Sequence, residues 1–140
     1  MKKIVEGSDG QVKLVLRYAP FHHGADVVAY ALEASRRQGK FWETLDLVYQ
    51  RQPEWADHHR PNPDVLWQYF PSVGLDVEQL RADMRSPEVA AVVRQDLADA
   101  IVLGIRKTPT FLVNGRPLAR CGRAQLETLV ADTVDAVYGR

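Results

Sequence analysis

Leu103-Gly104-Ile105-Arg106-Lys107-Thr108-Pro109-Thr110-Phe111-Leu112-Val113-Asn114-Gly115 changes backbone habit three times in a short span. Gly104 closes a helical pattern, because glycine takes up the left-handed conformation that ends a helix. Thr108-Pro109 follows as a turn dipeptide, since proline fixes φ and restricts the residue before it. Thr110–Val113 is β-rich, and Asn114-Gly115 is the strongest short hairpin signal a sequence carries. Arg116–Ala119 then returns as a second strand. Pro117 marks that strand as an edge, because proline has no N–H to give to a ladder.

Helical patterns flank this segment. Upstream, Ser86-Pro87-Glu88 combines a cap, a proline at the first helical position and an acid in the first turn. The helix it starts carries Val89, Val93, Leu97 and Ile101 inward and stops at Gly104. Downstream, Arg123–Tyr138 places Leu126, Leu129, Val130, Val134 and Val137 on one face. Toward the N-terminus, Asp26–Arg37 and Lys40–Gln50 read as helices, separated by Gly39. Glu54–Pro63 reads as a loop, and short helices are predicted over Asp64–Phe70 and over Asp76–Met84, with Asp76 as N-cap. Gln11–Tyr18 alternates polar and apolar residues. Val15 interrupts the alternation, which predicts a strand covered on both sides, with Val12–Leu16 at its centre. Lys3-Ile4-Val5-Glu6-Gly7 resembles the last turn of a helix. A strand, a helical block, a hairpin and a final helix predict an α/β layered domain.

Composition narrows the function. The chain has 140 residues, a length that suits one domain, and 46% of them are hydrophobic, enough for an ordinary core. Eighteen basic and eighteen acidic residues cancel, which argues against electrostatic capture of nucleic acid or an anionic membrane. No apolar run approaches the ~20 residues that span a bilayer, and no secretory signal is legible. One cysteine excludes an intramolecular disulfide, a Cys-rich zinc site and any two-cysteine redox motif within these residues.

The Leu103–Gly115 segment resembles the part of DsbA-like thioredoxin-fold proteins where a helix ends, a Thr-Pro bond follows and a hairpin begins. Gln38-Gly39-Lys40-Phe41-Trp42-Glu43 is similar to the helical insertion of the same family. The resemblance covers most of the chain. It implies a single thioredoxin-like domain over 1–140 with a helical insertion from about 21 to 104. It also implies a cis proline at Pro109 and a substrate-facing loop of Thr108, Pro109 and Thr110, along which substrate pairs as an added strand.

The sequence departs from the family pattern at the reactive end. The family carries a first strand and then Cys-x-x-Cys at the start of the first helix, and neither is present here. By the same resemblance the absent strand is central, between Val12–Leu16 and the hairpin. Either Met1 is an internal methionine of a longer protein, the favoured reading, or the sheet is completed by a second copy or a different pairing. The expected function is that of a DsbA-family thiol–disulfide oxidoreductase, or protein-disulfide isomerase-like domain, inactive alone because its redox pair is missing. The alternative is a non-catalytic peptide- or partner-binding module, or a strand-exchanged homodimer. Partners implied by the resemblance are unfolded or reduced proteins and a redox partner protein. It also implies a periplasmic or envelope setting; the chain as written, without an export signal, would remain in the cytoplasm. No cofactor is expected.

Among the other candidates, Cys121 lies between Arg120 and Gly122-Arg123 at the start of the last helix, a setting that favours a reactive thiolate. A thiol without a role is the plainer expectation there. His22-His23 and His58-His59 are adjacent pairs whose side chains diverge, so no metal site is expected. Phe41, Trp42, Trp55, Trp67, Tyr69 and Phe70 are expected to form the core of the helical insertion. Arg36, Arg37 and Lys40 read as a solvated face, and Asp83, Asp96 and Asp99 as surface acids.

Overall fold

The computed structural model describes residues 1–57 and 60–139. In chain order its elements are α1 (Lys2–Glu6), α2 (Ala25–Ser35), α3 (Phe41–Gln50), α4 (Gln52–Trp55), α5 (Val77–Met84), α6 (Pro87–Val102), β1 (Leu112–Val113), β2 (Arg116–Pro117) and α7 (Arg123–Tyr138). Short 3-10 segments occupy Arg36–Gln38, Pro63–Gln68 and Phe70–Val73. The chain divides into two compact units. One spans residues 18–104, and the other joins residues 1–17 to the chain from Ile105 onward.

In the 18–104 unit, α2 packs against α3, α5 and α6. Its core is formed by Val28, Leu32, Phe41, Leu47, Leu66, Phe70, Leu80, Val89 and Val93, all buried. Helix boundaries follow local chemistry. Gly39 takes φ +66° and ends the turn after α2. Asp76 Oδ1 accepts the Gln79 N–H at 2.9 Å, and Ser86 Oγ accepts that of Val89 at 3.3 Å. Both caps thus satisfy a helix N–H that has no partner within its own helix. Gln38 holds the same α5 corner from the other side. Its amide donates to the Asp76 carbonyl at 3.0 Å and accepts the Asp76 N–H at 2.8 Å.

Several residues expected at the surface are structural. Asp96 is 7% exposed, and its Oδ2 accepts the Tyr18 main-chain N–H at 2.9 Å. Asp83 is also buried, and its Oδ1 accepts from Arg37 Nη1 at 3.0 Å, while Arg37 Nη2 donates to Glu88 at 3.3 Å. Burying a carboxylate costs several kcal/mol unless it is partnered, so these contacts explain the placement. Arg37 therefore links α5 to α6 and does not simply face water. Arg36 lies over the Phe41 ring at 3.6 Å and pairs with Glu33 at 2.9 Å. Lys40 pairs more loosely with Glu43, at 3.7 Å.

The aromatic cluster divides. Phe41 and Phe70 are buried, Trp67 stacks edge-on against Phe70, and Trp55 Nε1 donates to the Val48 carbonyl at 2.9 Å. Trp42 stays largely exposed while touching Phe41 edge-on. In α6, Val89 and Val93 are buried as expected, but beyond them Asp96 and Ala100 take the inward positions and Ile101 is 66% exposed, so the C-terminal half of the stripe runs one residue from the one expected. Tyr18 is buried and donates its hydroxyl hydrogen to Glu33 Oε2 at 2.8 Å. Burial first, and then that hydrogen bond, hold its phenol well above the ordinary tyrosine range.

The second unit is sparser. β1 and β2 pair antiparallel with Leu112 opposite Pro117 and Val113 opposite Arg116. Asn114 and Gly115 both have positive φ, +48° and +79°, as a tight hairpin turn requires. Leu118 N–H extends the hairpin by donating to the Phe111 carbonyl at 2.9 Å. β2 is an edge, as Pro117 predicts. α7 packs on β1, with Leu126 and Thr133 buried, Leu129, Val130 and Val134 half-buried, and Val137 exposed against expectation. α1 ends at Gly7, as its sequence suggests.

The expected strand at Val12–Leu16 does not form. No backbone–backbone hydrogen bond among the described residues joins residues 12–16 to another segment. A strand is a property of a pair, and apolar alternation alone cannot supply the partner.

Candidate functional site

The loop before β1 is the first candidate. Thr108, Pro109 and Thr110 are all exposed, and the Thr108–Pro109 peptide bond is cis. Thr110 Oγ1 donates to the Lys107 carbonyl at 2.6 Å and so closes a turn around the Thr-Pro pair. The loop enters the hairpin directly, so its outward backbone groups sit at the end of β1.

Cys121 is exposed and immediately precedes Gly122, the N-cap of α7, where no side chain caps the helix. One of its two flanking arginines is engaged elsewhere, since Arg123 Nε donates to Glu127 Oε1 at 2.7 Å. Among the described residues, no group of three or more His, Cys, Asp or Glu could hold a metal ion. His22 and His23 are exposed, and His58-His59 lie outside the described residues.

The second unit also holds a groove of about 440 Å³. Residues 11–15 form one wall and residues 110–114 the other. α1 contributes Ile4 and Val5, and α7 contributes Leu126, Val130, Val134 and Val137 at helical spacing. Of the four sequence candidates only Thr110 borders this groove; Thr108, Pro109 and Cys121 do not line it. In the sequence both walls are strand-like and α7 is one-sided, but no local signal marks the space these surfaces enclose.

Comparison with known proteins gives a consistent frame. Residues 8–133 match a family described as the DSBA-like thioredoxin domain. The crystal structure of a thioredoxin-like oxidoreductase from Silicibacter pomeroyi superposes with a TM-score of 0.75 at 29% identity, over 99% of this chain and 75% of that one. The fold is therefore thioredoxin-like, here mostly helical with a small two-stranded sheet. A Na(+)/H(+) antiporter NhaA of Herminiimonas arsenicoxydans is 39% identical over 121 residues, 86% of this chain and 18% of its own. The Na(+)/H(+) antiporter NhaA 3 of Salinispora tropica is 33% identical over 128 residues, 89% of this chain and 18% of its own. The chain thus spans under a fifth of the curated relatives it matches. Among the described residues, no helix is long and apolar enough to cross a membrane.

Proposed function

From a chain that belongs to the DSBA-like thioredoxin domain family and yet holds one cysteine, we infer the body of a thiol–disulfide oxidoreductase without its redox-active pair. Dithiol–disulfide exchange needs an attacking thiolate and a second thiol that resolves the mixed disulfide. A single cysteine cannot fill both roles. On this reading the 140 residues form one thioredoxin-like domain, and the 18–104 unit is its helical insertion. The exposed Thr108-Pro109-Thr110 loop holds an unfolded or reduced substrate chain in strand geometry beside β1, and a redox partner protein would act on the cysteine pair that these residues lack. Cys121 is then an auxiliary thiol and not the catalytic one. The two-stranded sheet is an incomplete form of the family sheet, lacking the strand between residues 11–17 and β1.

The observation that carries this reading is the family match across 8–133 set against the single cysteine. An insulin-reduction assay tests it. The purified 140-residue chain is expected to give no turnover above buffer, and robust turnover would overturn the missing-pair reading. For the loop, titration with carboxymethylated insulin B chain should shift the amide resonances of Thr108 and Thr110. Unchanged resonances at saturating peptide remove the substrate role.

A second reading is favoured by the relatives themselves, in which the matched segment makes up 18–19% of chains named Na(+)/H(+) antiporters. On this reading the domain is one part of a longer transporter polypeptide. An antibody against the 140-residue chain distinguishes the two in cell extracts. A band near 15.8 kDa speaks against the longer polypeptide, and a membrane-fraction band several times larger supports it.

A further inference from the structure

Charge in this molecule is not spread as its zero sum suggests. Residues 1–17 and 105–140 hold ten basic and five acidic side chains, whereas residues 18–104 hold eight and thirteen. The imbalance is sharpest around the hairpin: between Asp99 and Glu127 the sequence has five basic residues and no acid. Two of the five are placed apart from the rest. Arg123 is paired with Glu127 at 2.7 Å, and Arg116 lies beside the turn, opposite Val113. The other three, Arg106, Lys107 and Arg120, are exposed, and none has an ion-pair partner among the described residues. They gather at the open end of the hairpin. Arg106 and Lys107 lead directly into Thr108, and the Lys107 carbonyl accepts the Thr110 hydroxyl hydrogen at 2.6 Å. On the returning strand the Leu118 N–H donates to the Phe111 carbonyl at 2.9 Å. Pro109 and Arg120 each lie two residues beyond that bond, at most ~7 Å of chain, so Arg120 leaves the hairpin beside the loop.

We propose that Arg106, Lys107 and Arg120 form a cationic rim that selects acidic polypeptide segments, those with carboxylates flanking the stretch held at Thr108-Pro109-Thr110. The proposal rests on the reading of that loop as a binder of extended polypeptide, and it adds the class of chain preferred. Three like charges at one rim repel one another. A bound carboxylate relieves that repulsion and accepts charge-assisted hydrogen bonds from the two guanidinium groups and the ammonium. The size of the rim favours a peptide over the other polyanions. A lipid surface is read by clusters of roughly four to eight Lys and Arg, and a nucleic-acid duplex by roughly six to ten phosphate contacts. Three cations beside an exposed loop suit one or two carboxylates on a single chain. Because the rim is exposed, each pair contributes modestly, so the selection works by degree and weakens as salt screens it.

Fluorescence anisotropy on the full chain tests the proposal with two labelled, end-blocked peptides, SEVTVES and its uncharged counterpart SQVTVQS. At low salt the acidic peptide should bind about tenfold more tightly, and the ratio should fall toward one at high salt. The triple variant Arg106→Gln, Lys107→Gln, Arg120→Gln should abolish the preference. Arg94→Gln, an exposed cation of the other unit, should leave it intact. The comparison of the two peptides uses the unaltered protein and stands even if the triple variant does not fold. Equal binding of both peptides overturns the cationic rim while the loop keeps its role as a polypeptide binder. Absent binding of both overturns the rim and the loop together. A preference that survives in a folded triple variant assigns it to other residues and also overturns the proposal. So does binding to phosphatidylserine vesicles that the triple substitution abolishes, when the two peptides bind alike, since the rim then reads a lipid surface.

Discussion

The two units differ in how completely each covers its own apolar surface. In residues 18–104, α2, α3, α5 and α6 bury side chains such as Leu66, Phe70 and Leu80 almost entirely, and even the carboxylates taken inside have partners. In the second unit only Leu126 and Thr133 are buried among the described residues, while Val15 is 62% and Leu112 46% exposed. Helices satisfy their backbones internally and need neighbours only for side chains. Sheets need neighbours for both. The same chain therefore yields one self-sufficient unit and one with open edges.

The largest expected contrast is in hydrogen exchange. Amides within α6 should be protected by orders of magnitude more than those of residues 12–16, because the latter lack backbone partners. Comparable protection in the chain alone would erase the distinction between the units. Next, Phe70→Ala should cost about 3–5 kcal/mol in urea unfolding followed by tryptophan fluorescence. The three tryptophans, Trp42, Trp55 and Trp67, all lie in the helical unit and report on it directly. Asp96→Ala should cost about 1–3 kcal/mol in the same measurement, since it leaves the buried Tyr18 N–H without its acceptor.

A pH series refines the picture of that unit. The folded Tyr18 phenol titrates above its unfolded value near 10, so the unfolded chain loses its proton first. The associated stability is fully present below about pH 10 and is lost as pH rises toward the folded value. Tyr18→Phe should flatten this alkaline loss in the urea midpoint; an unchanged slope would contradict it. The smallest effect belongs to the second unit. Leu112→Ala, at an exposed position, should change stability by under about 0.5 kcal/mol. A loss as large as that of Phe70→Ala would mean that this unit has a core of its own after all.

What the sequence disclosed was mostly local. Asn114-Gly115, Gly39, Asp76 and Ser86 set their turns and caps through bonds spanning a few residues, and these stood where expected. Arg123–Tyr138 was legible for the same reason. Local sequence is silent where partners are distant. Asp83 meets Arg37 across 46 residues, and Asp96 meets the Tyr18 N–H across 78, so neither acid could be recognised as interior from its own neighbourhood. Val12–Leu16 differs again: its alternation is plain in the sequence, but a strand also needs a partner, which alternation does not supply. At the candidate site, the loop residues came from motif and the groove from geometry. Only the meeting of residues 11–15 with 110–114 reveals it.

The bond between the Tyr18 N–H and Asp96 has a consequence for folding order. It fastens the first residue of the helical unit to that unit's last helix. In polymer terms, the ring that must close for residues 1–17 to meet the hairpin is then no longer the whole intervening chain. Closure entropy grows with the logarithm of loop length, so an early helical unit shortens the effective ring before any strand is paired. The helical unit acts as a clasp, and the hairpin side of the molecule inherits a search already reduced.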